Sequence, residues 1–402
     1  GGQVAMNFYP PELTTPPLPL VALLGRQDVH PAVREFLRSQ QKPPVNTVGA
    51  ADPAHAARLF GERKAHSAAL PTCDFFKSNW FAKHRQRCPA VAVILLDRDW
   101  VVGDPNSWTR ACEQLDWVRT ATRPRGVRII VAIVQNTGSA AEVPEDRGLV
   151  LRRRADVDAR SLMVISREDG DASLRKLGKV ILEQAGQFYA EEVKRVLGKA
   201  AERAKIATTP VYSYNLRAYF KAAAFSEFRQ DWGNALKYYQ AAYAYCQEAA
   251  GSYLDDGINV VQRYAEICSV AEQLHIKITA LLLHQQRVAE ALTHFERHMA
   301  TFKAAAAKHA LPAAAAAAHW GWVCRQYSVA GQLLAERVEA SLLPDTRAAQ
   351  PAYFFQCAAN AAMMRRAAAQ MIEDAGAPAE CVAGPFVGQL VAAAGSLGLT
   401  DP

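Results

Sequence analysis

Residues 90–96 read AVAVILL, and this unbroken apolar run indicates the fold of the first part of the chain. Three further runs are equally rich in valine, isoleucine and leucine: Leu20–Leu24, Val127–Val134 and Leu162–Ile165. Strands that are buried on both faces have this composition, because a parallel sheet carries helices on each side. The four runs therefore predict a mostly parallel sheet.

Helical segments separate these runs. Asp104 is suited to cap a helix N-terminus, and Pro105 is suited to the first helical position. Pro31 opens another helix in the same way. The alternation of strands and helices predicts a doubly wound α/β domain, which we place at residues 1–170.

From about Ser173 the apolar residues follow helical spacing, and no further strand is predicted. A long helix is expected to reach about Ile206, with a basic face that includes Lys194 and Arg195. A solvated helix face explains such a charge pattern, and contact with a partner is the alternative. We expect residues 171–402 to be all-α.

The middle of this region resembles a helical repeat of the tetratricopeptide (TPR) type. Ala235 and Ala242 are small enough for two helices to approach closely, and Tyr239 fills the gap between them. A second match ends in Phe295, but it lies too far along the chain for a regular array. The pattern predicts an irregular TPR-like α-solenoid. Its expected core aromatic residues are Tyr239, Phe295, Trp322 and Phe355.

Composition limits the classes of function. The chain has 402 residues, half of them hydrophobic, and a formal net charge of +7. This charge is too dilute to indicate a nucleic-acid partner. The absence of an 18-residue apolar run, of a signal sequence at Gly1–Leu20 and of Cys-x-x-Cys pairs favours a soluble intracellular protein. The C-terminal residues Gly395–Pro402 supply no closing helix, so a longer protein is expected.

Motifs that carry chemistry are missing or weak. Neither a dinucleotide-binding nor a P-loop glycine pattern occurs, and we predict no catalytic, cofactor-binding or metal-binding residue. Asp97 and Asp99 follow a buried strand, where carboxylates can hold Mg²⁺ or cap the next turn. His294 and His298 have the spacing of metal ligands on a helix, but we interpret them as packing residues.

Arg152, Arg153 and Arg154 form the densest basic run. With Lys194 and Arg195 they are the candidate basic contact surface, for acidic lipid or for a partner protein. The alternative is a solvated helix face or turn. No aromatic residue is interleaved with this run, so it is not typical of nucleic-acid binding.

A Trp-x-x-Lys-His stretch precedes the run at 90–96, and an Ala-Phe-Ser-Glu stretch begins at Ala224. Together with further stretches, in order from about residue 8 to about 370, they resemble the N-terminal part of the foie gras family, subunit 11 of the trafficking protein particle (TRAPP) complex. The residues that match the family's motifs or occupy packing positions are Trp80, Lys83, His84, Asp99, Trp100, Trp108, Phe225, Glu227, Ala235, Tyr239, Ala242, Phe295 and Trp322. The alanine tracts around Leu311 depart from the family's pattern.

This resemblance implies a non-catalytic scaffold subunit of the TRAPP tethering and Rab-exchange complex, in ER-to-Golgi transport and autophagy. It implies other TRAPP subunits as partners, a Rab GTPase indirectly, and a cytoplasmic location peripheral to the cis-Golgi and the ER–Golgi intermediate compartment. The foie gras region would begin near residue 252 and be incomplete at the C-terminus. Two alternatives remain: a nucleotide- or metal-dependent α/β enzyme with a helical appendage, and a TPR-like adaptor outside TRAPP.

Overall fold

The structure is a computed structural model. It describes residues 13, 15–49, 59–60, 80–136, 143–166, 171–206, 212–255, 260–308 and 313–374. Leu311, around which the alanine tracts lie, and the C-terminal residues Gly395–Pro402 are outside the described residues.

The first part of the chain forms a five-stranded sheet in which every pair is parallel. The strands lie in the order β2-β1-β3-β4-β5, one of the two common doubly wound orders. Their bounds are β1 Leu20–Gly25, β2 Asn46–Gly49, β3 Val91–Asp97, β4 Arg128–Gln135 and β5 Leu162–Ser166. Central strand β3 is buried along Val91–Leu96, so both of its faces are covered.

Helices connect these strands. They are α1 His30–Ser39, α2 Trp80–Gln86, α3 Arg98–Val102, α4 Pro105–Thr122 and α5 Glu145–Ala155. The predicted cap of α4 is present, because the Asp104 carboxylate accepts hydrogen bonds from the backbone N–H groups of Asn106 and Ser107, at 2.8 and 3.1 Å. Pro105 occupies the first turn as expected.

Seven helices are described after β5, and no strand is described there. They are α6 Asp171–Ile206, α7 Tyr212–Phe228, α8 Trp232–Asp255, α9 Val260–His284, α10 Val288–Lys308, α11 Ala313–Arg337 and α12 Pro351–Asp374. From α8 to α12, each helix packs against the next along the chain. The prediction of a parallel α/β domain followed by an all-α region is confirmed.

The chain divides into two compact units. The α/β unit comprises the described residues within Pro16–Gly198 and Ala224–Asp231. The helical unit comprises those within Gly1–Thr15, within Lys199–Ala223 and from Trp232 onward.

Candidate functional site

The carboxyl ends of β1 and β3 form the switch point of the sheet, where doubly wound folds bind their ligands. Gly25 ends β1 with a φ of +85°. A Cβ atom at this position would lie 2.1 Å from the backbone oxygen of Leu95 on β3. Glycine is required here both by the positive φ and by the close approach of the two strands.

The side chain that occupies this switch point is Arg26. Its guanidinium group lies 2.7 Å from a carboxylate oxygen of Asp28, 3.1 Å from one of Asp97 and 3.1 Å from the side-chain oxygen of Asn136. The hydrogen bonds that Arg26 donates to Asp28 and the charge of Asp97 raise the pKa of Arg26. The guanidinium group of Arg26 thus connects the carboxyl ends of β1, β3 and β4.

The two carboxylates that follow β3 serve different partners. Asp97 pairs with Arg26 and also accepts a hydrogen bond of 2.9 Å from the backbone N–H of Asp99, which caps α3. The Asp99 side chain is largely exposed, 3.8 Å from the guanidinium of Arg98. Among the described residues, no group of three or more histidines, cysteines or carboxylates is arranged to hold a metal ion. The geometry therefore matches the capping alternative for Asp97.

Two of the stretches that carry the family resemblance meet in the α/β unit. The ring of Phe225 lies 5.5 Å from that of Trp80 and 5.3 Å from that of His84, both on α2. Tyr189 of α6 stacks on Phe228 at 4.7 Å and on Phe225 at 6.0 Å. These motif residues are 141 positions apart along the chain at their nearest (225 − 84), yet they form one aromatic cluster.

The other motif residues of this unit have varied positions. Glu227 is buried, whereas Lys83 is exposed. Trp100 is about one-third exposed at 36%, and Asp99 beside it is also exposed. The guanidinium of Arg147 lies 5.1 Å above the ring of Trp108.

In the helical unit the residues of the predicted repeat lie in the core. Ala235, Tyr239 and Ala242 are completely buried on α8, and Tyr239 contacts the ring of Phe220 at 5.6 Å. Phe295 and Trp322 are also buried. The expectation for Phe355 was wrong.

Phe355 is 47% exposed, because its neighbour Phe354 takes the buried position on α12. Adjacent residues on a helix differ by about 100° in direction, so only one of the two can point into the core. Phe354 reaches Phe295 at 5.2 Å.

His294 and His298 belong to a buried polar cluster that joins three helices. The ring of His275 on α9 stacks on His298 of α10 at 4.2 Å and on His294 at 5.0 Å. The Nδ1 atom of His298 lies 2.7 Å from the hydroxyl of Tyr243 on α8. Sequence reasoning found the histidine pair of α10 but missed His275 and Tyr243, which no local spacing connects with it.

Burial keeps these histidines neutral. It lowers the pKa of His298 to about 3, with a further contribution from the nearby His294. It also lowers the pKa of His294 to about 4 and that of His275 well below its usual value. A neutral imidazole can stack on another ring and accept a hydrogen bond. The cluster therefore stabilises the packing of the three helices through ring contacts and a hydrogen bond.

Two further buried polar pairs lie in the helical unit. The Tyr264 hydroxyl donates to the backbone oxygen of Phe302 at 3.2 Å and lies 2.8 Å from Nδ1 of His319. Arg325 of α11 donates to the carboxylate of Glu272 on α9 at 2.5 Å. Both side chains of this ion pair are more than nine-tenths buried.

Some side chains of the candidate basic surface form ion pairs with described residues, and others are exposed. Arg152, Arg153 and Arg154 form the last turn of α5, where Arg154 pairs with Asp116 of α4. Arg153 is exposed. On α6, Lys194 is exposed and Arg195 donates to Glu192 at 3.1 Å.

Comparison with known proteins places these features in a family context. Residues 263–394 match the model of the family "Foie gras liver health family 1". The chain is 24% identical over 379 residues to trafficking protein particle complex subunit 11 of Gallus gallus, which covers 90% of this chain and 32% of that protein. The subunits 11 of Bos taurus and Homo sapiens are 25% and 24% identical over 380 residues, with the same coverage.

The resemblance stated from the sequence is therefore confirmed. It extends through both units, although the chain spans about a third of the length of the curated relatives that it matches. None of the described helices has the length and apolar character needed to cross a membrane.

Proposed function

We propose that this chain is a non-catalytic scaffold component of a TRAPP tethering and Rab-exchange complex, acting in ER-to-Golgi vesicle transport and autophagy. The observation that carries the proposal is similarity to subunit 11 across 90% of the chain. Its partners are other TRAPP subunits and, through them, a Rab GTPase. Its location is cytoplasmic, peripheral at the cis-Golgi and the ER–Golgi intermediate compartment.

Each of the two domains proposed from the sequence has its own role. They are the α/β domain at residues 1–170 and the solenoid at residues 171–402, with the foie gras region from about 252. Stacked helix pairs present extended surfaces on which neighbouring subunits dock. The basic residues of α5 and α6 provide a peripheral contact surface. Nucleic acid is not a partner in this proposal.

The packing of the switch point supports a non-catalytic role. In doubly wound enzymes, the crevice between the carboxyl ends of the central strands receives the ligand. Here the carboxylates of Asp28 and Asp97 both form ion pairs with Arg26. A carboxylate that pairs with an internal cation is poorly placed to bind a metal ion.

Affinity purification of the tagged full chain from its native cells tests the proposal. We expect TRAPP subunits in the recovered complex. A Tyr239→Ala variant, which opens the core of the helical unit, is expected to lose them, whereas the matched Tyr239→Phe variant is expected to retain them. Failure of the unaltered chain to recover any TRAPP subunit would refute the proposal, and recovery of a different set of partners would indicate an adaptor outside TRAPP.

The enzyme alternative has its own test. A nucleotide- or metal-dependent α/β enzyme is stabilised by its ligand, because a ligand that binds only the folded state raises the melting temperature. A thermal-shift screen with nucleotides and Mg²⁺ therefore distinguishes the two functions. We expect no shift, and a concentration-dependent shift would favour the enzyme.

A further inference from the structure

Arginines from three separate segments lie at the end of the sheet where the parallel strands begin. In a strand–helix–strand unit, the C-terminus of the crossover helix lies at the end of the sheet where the next strand begins. The ends of α2, α4 and α5 and the turns after them comprise residues 85–87, 119–128 and 152–160, which we call the arginine edge. These segments contain ten arginines, two aspartates and no lysine.

Contacts show that the three segments adjoin one another. The guanidinium of Arg125 lies 2.9 Å from the Sγ atom of Cys88, which follows α2. The guanidinium of Arg119 lies 3.4 Å from the backbone oxygen of Arg154 and 3.3 Å from the carboxylate of Asp156. The arginine edge is therefore a continuous surface.

Only part of its charge is neutralised. Asp116 pairs with Arg154, and Glu191 of α6 pairs with Arg128. Asp156 and Glu183 pair with two more arginines, at 3.3 and 3.5 Å. The C-terminal ends of α4 and α5 add about half a negative charge each, which leaves the arginine edge strongly positive.

Three arginines of the arginine edge are available for a partner. Arg87, Arg123 and Arg153 are exposed and form no ion pair with the described residues. Arg85 and Arg152 each hold a buried guanidinium nitrogen without a hydrogen-bond acceptor among the described residues. A buried nitrogen lies out of a partner's reach, so contacts with a partner fall to the three exposed guanidinium groups.

The shape of the arginine edge favours a protein segment over a bilayer. An open depression of about 760 Å³ is lined by Asp116, Arg119, Thr120, Arg123 and Pro124. No large apolar side chain is exposed in the three segments, whereas peripheral membrane surfaces usually insert such side chains. The planar guanidinium group matches carboxylates in bidentate geometry, which the pairs already present illustrate.

We propose that the arginine edge binds an acidic, aspartate- and glutamate-rich segment of a partner protein, with Arg123 and Arg153 as the principal contacts. This inference rests on the α/β unit alone and does not depend on membership of a TRAPP complex.

Binding of a fluorescein-labelled octaglutamate peptide to the full chain tests this inference by fluorescence anisotropy. The Arg123→Ala/Arg153→Ala variant is expected to weaken binding about tenfold at low ionic strength, because two charge pairs are lost. The matched control is Lys176→Ala/Lys179→Ala, which removes the same charge from two exposed residues near the start of α6. The control is expected to bind as the unaltered chain does, and added salt is expected to weaken binding.

Three results would overturn the inference. The first is that the peptide does not bind the unaltered chain. The second is that both variants lose equal affinity, since net charge and not the arginine edge would then be responsible. The third is that phosphatidylserine vesicles, but not the peptide, bind in a manner that depends on Arg123 and Arg153. Equal melting temperatures of all three proteins ensure that altered binding does not reflect unfolding.

Discussion

Acid is expected to destabilise the helical unit through His298, and the structure gives the size of the effect. The folded state holds the pKa of His298 at about 3, whereas an unfolded chain has a histidine pKa of about 6.5. Below about pH 6.5 the unfolded state therefore binds the proton and the folded state does not. The free energy of unfolding should fall by about 1.4 kcal/mol per pH unit until about pH 3, and the loss attributable to His298 at pH 5 is about 2 kcal/mol.

The His298→Gln variant isolates this contribution, because glutamine does not titrate but offers an oxygen to the hydroxyl of Tyr243. Urea unfolding of the full chain, followed by far-ultraviolet circular dichroism at pH 7 and pH 5, measures the effect. The variant is expected to lose about 2 kcal/mol less than the unaltered chain between these pH values. The control is His284→Gln, which removes an exposed histidine from the end of α9.

Equal acid sensitivity of the unaltered chain and His298→Gln would refute the reasoning, since it would mean that His298 is solvated or protonated in the folded state. A change of the same size in His284→Gln would refute it too. Because each comparison is made between proteins that differ at one site, the acid response of the α/β unit cancels.

Three further predictions concern stability. Tyr239→Ala is expected to cost about 3–5 kcal/mol in thermal or urea unfolding, as the loss of a buried aromatic ring does, and an unchanged melting temperature would place Tyr239 outside the core. Gly25→Ala is expected to cost more than about 2 kcal/mol, because its Cβ would meet the Leu95 oxygen at a positive φ; a mild loss would contradict the close approach of β1 and β3. Arg325→Leu is expected to cost about 3–5 kcal/mol, since Glu272 would remain buried without its cation, while Glu272→Leu/Arg325→Leu should lose much less.

The sheet was largely predictable from the sequence because its central strands are buried on both faces. Continuous apolar runs such as residues 90–96 have few alternatives in an α/β pattern. The edge strand β2, Asn46–Gly49, escaped prediction because it is only half-buried and its sequence NTVG carries no apolar run. Its position depends on pairing with β1, and this pairing cannot be inferred from the local sequence of β2.

The candidate site was less predictable, because its contacts join distant parts of the chain. The histidine pair of α10 was visible as a spacing of four, but His275 reaches it from another helix. Arg26 meets Asp97 and Asn136 only when the parallel strands bring their ends together. Such residues carry no shared motif, and only the topology makes them neighbours.

The arrangement around Arg26 also has a consequence for regulation. A crevice that depends on a diffusible ligand gains stability with the logarithm of the ligand's concentration, so the domain responds to the metabolic state of the cell. The guanidinium group of Arg26 is covalently part of the chain, so its effective concentration at the crevice is fixed. The bonds from Arg26 across β1, β3 and β4 should therefore not vary with the concentration of any metabolite.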